Sequence, residues 1–187
     1  ENSEEKEPLS IVDYIRTIPD FPKPGIQYRD ITTLLSNPKG LRLAVDEIAD
    51  HYADRIKENE ITCVVGIEAR GFIFGTAVAY KMGLGFVPLR KPGKLPGTVI
   101  GMSYQLEYGE DRLEIHKDAI DPQSNVLLID DLIATGGTAE AAAKLIQQTG
   151  ATIAGCAFVI DLPDLGGKAL LEDDGVATQA LIAFDGD

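Results

Sequence analysis

Short apolar runs alternate with longer amphipathic segments along this chain, and that alternation limits the folds open to it more than any other feature. The apolar runs are the length of buried strands and span 61–66, 85–90, 126–130 and 151–161. The segments between them place apolar residues at a helical period over 37–58, 71–83 and 138–149. This order predicts an α/β fold, in which a Rossmann-like parallel sheet carries helices on both faces.

The N-terminal part departs from this alternation. Ser10 is placed to cap a short helix that reaches about Ile18. The prolines and glycine from Pro19 to Gly25 then exclude regular structure. Because 187 residues suit one hydrophobic core, we expect 1–187 to form a single domain.

Charge excludes two classes of partner. The chain has 17 Lys and Arg against 30 Asp and Glu, a net charge of −13, whereas nucleic acids and anionic membranes both require a basic face. Much of the acidity lies in 1–7 and 171–187, so it says little about a pocket between them. The acidic N-terminus does not resemble a signal peptide, and no apolar stretch is long enough to span a bilayer. Cys63 and Cys156 are expected to be buried free thiols of a cytoplasmic protein.

The strongest chemical signal is VLLIDDLIATGGTA, residues 126–139. Its apolar residues predict a buried strand that brings Asp130 and Asp131 to the carboxyl edge of the sheet, where they can accept hydrogen bonds from vicinal ribose hydroxyls. The glycine-rich turn over 134–138 lets backbone N–H groups approach a phosphate at the start of a helix. A 5-phosphorylated ribose fits this arrangement. The alternative, a capped helix after a polar turn, leaves two acids at a buried strand end without partners.

Two further loops carry cations. GIEARG lies between a buried strand and a helix, and its Arg70 is a forked cation suited to phosphate. RKPGKLPG concentrates three more cations in a loop shaped by proline and glycine, which favours an anionic ligand. These cations are Arg90, Lys91 and Lys94. The alternatives are a strand-to-helix turn with a surface arginine, and a basic cluster on the surface.

Residues 102–108 and 112–117 predict a β-hairpin around Gly109. Glu107 and Tyr108 lie near its tip, and such a tip can fold over a bound substrate and exclude water. The carboxylate of Glu107 can exchange a proton with a purine ring nitrogen. The alternative is an exposed strand whose glutamate has no role.

Together these stretches resemble the type I phosphoribosyltransferase family, whose phosphoribosylpyrophosphate-binding motif is similar to VLLIDDLIATGGTA. The combination is similar to the members of that family that act on adenine. It comprises DFPKPGIQYRDIT, GIEARGF, RKPGKLPG, YQLEYG, LEIHKDAI and DDLIATGGT, in that order. The resemblance runs from about Ser10 to Gly167. It implies a homodimeric purine-salvage enzyme that makes AMP and pyrophosphate from adenine and phosphoribosylpyrophosphate.

The resemblance also implies roles for single residues. A hood of about 18–36 covers the base, a flexible loop of about 98–115 carries the catalytic Glu107, and the bond from Glu68 to Ala69 is expected to be cis. Adenine contacts Gln27, Tyr28, Arg29 and Leu162. Phosphoribosylpyrophosphate or AMP contacts Glu68, Ala69, Arg70 (also catalytic), Arg90, Lys91, Lys94, Tyr108, Asp130, Asp131, Ala134, Thr135, Gly136, Gly137 and Thr138. Mg²⁺ is expected to bind mainly through the substrate, with no metal held by the protein itself.

Two other functions stay open at this point. The same fold could act on xanthine or hypoxanthine, which the hood and the LEYG segment oppose. A regulator could bind phosphoribosylpyrophosphate without turnover, but it would need a DNA-binding module for which the chain has no spare length. A turnover assay with each base separates the three.

Overall fold

The structure, a computed structural model, describes residues 10–106 and 108–186. Its strands are β1 (Arg16–Pro19), β2 (Gln27–Asp30), β3 (Cys63–Ile67), β4 (Gly85–Leu89), β5 (Val99–Leu106), β6 (Gly109–His116), β7 (Asn125–Ile133), β8 (Thr152–Asp161) and β9 (Thr178–Ala183). Its α-helices are α1 (Thr32–Ser36), α2 (Pro38–Lys57), α3 (Arg70–Met82), α4 (Gly137–Gln148) and α5 (Gly167–Asp173). Short 3₁₀ turns span Ile11–Tyr14 and Pro163–Leu165.

Strands β4, β3, β7, β8 and β9 form a parallel sheet in that order. The two faces of this sheet are buried in separate cores. Leu127 packs in the core that includes residues of α2 and α3, and Leu128 packs in the core that includes residues of α4. Because successive side chains of a strand point to opposite faces, helices cover both sides of the sheet. The predicted α/β fold is confirmed.

The strand order reverses between β3 and β7, since the chain runs outwards from β3 to β4 and returns on the other side as β7. Gly66 of β3 pairs with Ile129 of β7, so the loops that leave these strands emerge side by side. A Cβ at Gly71 would lie 2.8 Å from the carbonyl oxygen of Ile129. Glycine there allows the start of α3 to approach the end of β7 this closely.

Strands β1 and β2 form a separate antiparallel pair, with Arg16 opposite Asp30. The helix predicted from Ser10 to about Ile18 is therefore wrong beyond its first turn, because the backbone after that turn pairs with β2 instead. Asp30 holds this pair in place. Hydrogen bonds from Thr32 and Arg16 lower the pKa of the Asp30 carboxyl to about 2.

Strands β5 and β6 form the predicted hairpin, in which Leu106 lies opposite Gly109. The base of the hairpin is tied to the loop after β4, because the backbones of Arg90 and Glu114 exchange two hydrogen bonds of 3.0 and 2.8 Å. Glu107 lies outside the described residues. The hairpin base is therefore held against the loop that carries the predicted basic cluster.

Both cysteines are free thiols, but only one is fully buried. Cys156 in β8 is inaccessible, and burial raises its pKa to about 12. The prediction of burial is wrong for Cys63, which is partly exposed because it is the first residue of β3. Across the described ranges, no helix is both long enough and apolar enough to cross a bilayer.

Candidate active site

A cleft of about 300 Å³ opens at the carboxyl edge of the sheet, between the loops that follow β3 and β7. It brings together the predicted ribose acids, the predicted phosphate turn and the GIEARG turn. Its lining consists of Ile67, Glu68, Ala69, Arg70, Lys91, Asp130, Asp131, Leu132, Ile133, Ala134, Thr135, Gly136, Gly137, Thr138 and Ala139. The fold therefore gathers most of the predicted phosphoribosyl-binding residues in one place.

The turn between β7 and α4 is built around Gly136. Its φ of 88° is left-handed, and a Cβ there would lie 2.8 Å from the Cα of Gly167. Glycine is thus required both by the backbone conformation and by the close approach of α5. The first residues of α4, from Gly137, line the cleft. The N–H groups and partial positive charge of a helix start favour a bound phosphate.

Asp130 and Asp131 border the same cleft in different electrostatic settings. The Asp131 carboxylate forms an ion pair with Nε of Arg70. Oδ1 of Asp130 accepts a hydrogen bond of 2.8 Å from the backbone N–H of Asp131. Burial, reinforced by the charge of Asp131, raises the pKa of Asp130 well above its ordinary value. Ionised Asp130 is therefore favoured when hydroxyl donors or a cation face it.

The GIEARG turn joins β3 to α3 through a cis peptide bond between Glu68 and Ala69, the bond that the resemblance singled out. Arg70 is the first residue of α3 and bridges the cleft to Asp131. A hydrogen bond from Arg70 to Asp131 raises the pKa of the guanidinium further above its already high value. Arg70 is therefore a permanent cation at the centre of the cleft.

Three of the predicted pyrophosphate-binding cations each lie against a carboxylate. These pairs, called the three ion pairs below, are Arg70–Asp131, Arg90–Glu68 and Lys91–Asp111. Nζ of Lys91 also donates a hydrogen bond of 3.1 Å to the hydroxyl of Tyr104, which lies opposite Asp111 in the hairpin. The bond from Lys91 lowers the pKa of the Asp111 carboxyl. The hairpin therefore holds a cation that borders the cleft.

The basic loop contributes its cations unequally. Lys91 lines the cleft, whereas Nε of Arg90 lies 2.8 Å from Oε1 of Glu68 and braces that side chain. Lys94 is exposed and lies outside the cleft lining. Lys94 follows Gly93, whose φ of 75° is left-handed, in a turn that does not contribute to the cleft lining. The structure thus places one cation of this loop at the cleft and one behind it.

A second cavity, of about 580 Å³, lies between the β1–β2 hood and the turn after β8. The hood contributes Ile26, Gln27, Tyr28, Arg29 and Ile31, and the opposite wall consists of Ile160, Leu162 and Leu165. Arg70, Asp131 and Leu132 line both cavities. The second cavity is mostly apolar. A flat base joined to a phosphorylated sugar would fit the two cavities together.

Comparisons with known proteins agree with this geometry. The family model "Phosphoribosyl transferase domain" matches residues 30–178. The adenine phosphoribosyltransferase of Dinoroseobacter shibae is 57% identical over 175 residues, which cover 94% of this chain and 96% of that protein. The adenine phosphoribosyltransferase of Methylobacillus flagellatus is 59% identical over 177 residues, which cover 95% and 98%. This chain belongs to the adenine phosphoribosyltransferase family.

Solved structures of the adenine phosphoribosyltransferase family share the fold. The structure from Rhodothermus marinus has a TM-score of 0.83 and 48% identity, and the match covers 93% of this chain and 96% of that one. The structure from Saccharomyces cerevisiae, complexed with adenine and an imino-altritol bisphosphate, has a TM-score of 0.86 and 38% identity, with coverage of 92% and 96%. The resemblance drawn from the motifs is confirmed over nearly the whole chain.

Tyr108, beside the hairpin tip, does not line either cavity. Tyr108 is 83% exposed and belongs to neither lining, although the family resemblance predicts that it contacts the nucleotide. Its neighbour Glu107 lies outside the described residues, so its role in this family member stays a prediction. Further along β5, Ile100, Met102 and Tyr104 pack against the core. The base of the hairpin is thus anchored, and its exposed tip is the part that can approach a substrate.

Several residues that the structure places at the site were not identified from the sequence. Of the aliphatic members of the base cavity, those not identified are Ile26, Ile31, Leu132, Ile160 and Leu165. Single aliphatic side chains form no motif, so no sequence signal marks them. Tyr104 and Asp111 left no signal either, because a hairpin centred on Gly109 would not pair them, whereas in the structure Leu106 pairs with Gly109 and Tyr104 pairs with Asp111. Only the fold shows that Tyr104 and Asp111 are the partners of Lys91.

Proposed function

We propose that the protein transfers the phosphoribosyl group of 5-phosphoribosyl-1-pyrophosphate to adenine, giving AMP and pyrophosphate in purine salvage. The observation that carries the proposal is the junction of the two cavities at Arg70, Asp131 and Leu132. A ribose at this junction meets the phosphate turn on one side and a base cavity on the other. Relatives named adenine phosphoribosyltransferase, at 57% and 59% identity over nearly the full length, support the same substrate pair.

The backbone of the hood favours adenine over 6-oxopurines. Gln27 lines the base cavity, and its cross-strand partner is Pro19. Because proline has no N–H, it cannot donate a hydrogen bond to the Gln27 carbonyl. That carbonyl keeps its capacity to accept a bond from the 6-amino group of adenine. Hypoxanthine presents an acceptor at that position, and unpaired polar groups in a buried site discriminate strongly.

The proposed reaction depends mainly on positioning and charge. The bond from ribose C1 to the pyrophosphate oxygen breaks as N9 of adenine bonds to C1, through an oxocarbenium-like transition state. The turn over 134–138 and the carboxylates of Asp130 and Asp131 orient the sugar. Arg70 and Lys91 stabilise the negative charge that develops on the leaving pyrophosphate. The proton released by the purine nitrogen passes to the carboxylate of Glu107.

Magnesium is proposed as the metal carried by the substrate. Asp130 and Asp131 offer carboxylate oxygens in the cleft, which is the ligand chemistry that Mg²⁺ prefers. Burial and the neighbouring charge of Asp131 raise the pKa of Asp130, so a cation carried by the substrate would favour its ionised form. When bound, Mg²⁺ would neutralise charge on the pyrophosphate. Activity should disappear with excess chelator and return when Mg²⁺ is restored.

A homodimer in the cytoplasm is the proposed form of the protein. On α3, Ile73 is 44% exposed and Tyr80 is 89% exposed. These two residues are seven positions apart and share one helix face, which suits burial against a second copy. The free thiols of Cys63 and Cys156 suit a reducing compartment. Sedimentation equilibrium tests the dimer, and cell fractionation tests the compartment.

The decisive experiment measures pyrophosphate release with phosphoribosylpyrophosphate, Mg²⁺ and each base in turn. We expect AMP from adenine, with kcat/KM roughly 10⁴-fold higher than for hypoxanthine or xanthine, as is typical when a buried hydrogen bond decides specificity. Preferential turnover of a 6-oxopurine would assign the site to another base. Binding of phosphoribosylpyrophosphate without product from any base would identify a regulator instead.

A further inference from the structure

The side chain of Arg29, on the hood, is held by residues from both ends of the chain. Its Nη1 donates a hydrogen bond of 2.7 Å to Oγ1 of Thr17, the residue opposite it in β1. Its guanidinium carbon lies 4.5 Å from the centre of the Phe184 ring, which is the geometry of a cation–π contact. Its Nη2 also donates a hydrogen bond of 3.4 Å to the backbone carbonyl of Asp185.

The same C-terminal residues contact the opposite wall of the base cavity. The backbone N–H of Phe184 donates a bond of 3.0 Å to the carbonyl of Asp161, at the end of β8. The backbone N–H of Gly186 donates a bond of 2.8 Å to Oδ2 of Asp164. Asp164 lies in the 3₁₀ turn between Leu162 and Leu165, and both of these leucines line the base cavity. Residues 184–186, called the C-terminal strap below, therefore touch both walls.

The hood needs such an attachment. Strands β1 and β2 form a two-stranded sheet of their own and do not join the central sheet. An isolated two-stranded hairpin is marginally stable in water, so its position depends on what packs against it. Arg29 lines the base cavity from this hairpin, and its Nε is buried. A shift of Arg29 would therefore change the width of the cavity that receives the base.

We propose that the C-terminal strap fixes the distance between the two walls of the base cavity, and that Phe184 is a positioning residue for adenine. Phe184 acts through Arg29 and does not belong to the cavity lining. Residues 184–186 are not among those that line the cleft beside Asp130 and Asp131. Loss of the Phe184 ring should therefore weaken adenine binding and leave phosphoribosylpyrophosphate binding unchanged. This inference rests on the proposed function, since it names the residues that position the adenine used in that reaction.

The test compares Phe184→Leu, which removes the ring, with Phe184→Tyr, which keeps it. Steady-state kinetics should show the KM for adenine raised about three- to tenfold in Phe184→Leu, the range expected for a partly desolvated cation–π contact. The KM for phosphoribosylpyrophosphate and kcat should stay within about twofold. Phe184→Tyr should match the wild type. Adding Phe184→Leu to Arg29→Met should raise the KM for adenine no further, because the ring acts through the guanidinium.

Asp164→Ala provides an independent variant at an exposed position, since it removes the acceptor of Gly186 without touching the core. It should raise the KM for adenine in the same direction, with an unchanged melting temperature. An unchanged KM for adenine in both Phe184→Leu and Asp164→Ala would overturn the inference. An equal rise in the KM for both substrates, seen in Phe184→Tyr as well as in Phe184→Leu, would also overturn it, because it would indicate a general defect in folding. If the wild type makes no AMP from adenine, the proposed function itself is wrong, and that result is obtained without any of these variants.

Discussion

Replacing Gly136 by alanine should destabilise the protein through two separate effects. Its φ of 88° is left-handed, which costs an L-residue about 1–2 kcal/mol. The new Cβ would lie 2.8 Å from Cα and 3.1 Å from the carbonyl oxygen of Gly167, and forcing the start of α5 aside costs about 1–3 kcal/mol. Together these give a loss of roughly 2–5 kcal/mol, and a fall in melting temperature of about 4–20 °C for a chain of this length.

The matched control is Gly137→Ala, one residue along the chain. Gly137 is the first residue of α4, and a Cβ there would meet nothing within 4 Å. Alanine should therefore leave the melting temperature unchanged or raise it slightly, since glycine costs about 1 kcal/mol relative to alanine in a helix. Because Gly137 lines the cleft, its new methyl group should still weaken binding of AMP.

Calorimetric melting and AMP titration of both variants separate the two effects. Wild-type melting of Gly136→Ala would refute the argument from backbone conformation and close approach. An equally large fall in Gly137→Ala would show that the turn rejects side chains for a different reason. A stable Gly137→Ala with wild-type affinity for AMP would remove this turn as the phosphate site.

Three further outcomes are expected. Asp30→Asn should lower the free energy of unfolding at pH 7 by about 1–2 kcal/mol, a range reduced for solvent screening of its partner Arg16, which is 58% exposed. Because its pKa is lowered in the folded state, ionised Asp30 stabilises the fold at pH values above its ordinary pKa, and this stabilisation is lost as the pH falls towards about 2. Urea titrations should therefore show the difference in unfolding free energy between the wild type and Asp30→Asn shrinking below about pH 4. Asp111→Asn should release Lys91 and raise the KM for phosphoribosylpyrophosphate about threefold in steady-state assays, and a lower KM would mean that Asp111 competes with the substrate. Glu107→Ala should lower kcat more than it raises either KM, and an unchanged kcat would exclude the proposed proton transfer.

The residues that line the cleft beside Asp130 and Asp131 could be predicted from the sequence because most of them lie in local motifs. The apolar run predicts a strand as far as Asp130, although β7 continues to Ile133, and the glycines that follow predict a tight turn into a helix. The strand order then places this turn beside the GIEARG turn, because β3 and β7 are neighbours in the sheet. The strand and the turn each depend on neighbours within about ten residues, which is the range over which sequence patterns act, whereas their place beside the GIEARG turn depends on the pairing of β3 with β7.

The elements that were not predicted depend on distant partners. Strand β9 is partly buried along almost all its length, so it shows neither a continuous apolar run nor a clear alternation, and its pairing with β8 defines it. Strand β1 follows a turn that could have continued as a helix, and pairing with β2 decides otherwise. The contact between Arg29 and Phe184 joins residues at opposite ends of the chain. No local pattern carries such information.

The three ion pairs change the meaning of the net charge of −13. Lys91 and Arg70, which border the cleft, already have carboxylate partners, so the cleft is not a basic patch. A polyanion can bind at such a site if it contacts these cations while their carboxylate partners hold them in place, and if it brings a counter-ion of its own. The proposed substrate, phosphoribosylpyrophosphate carrying Mg²⁺, would do both if its hydroxyls lay at Asp130 and Asp131 and its pyrophosphate at the cations. A nucleic acid presents only phosphates to this acidic surface. We therefore expect the charge pattern that admits the substrate to exclude nucleic acids.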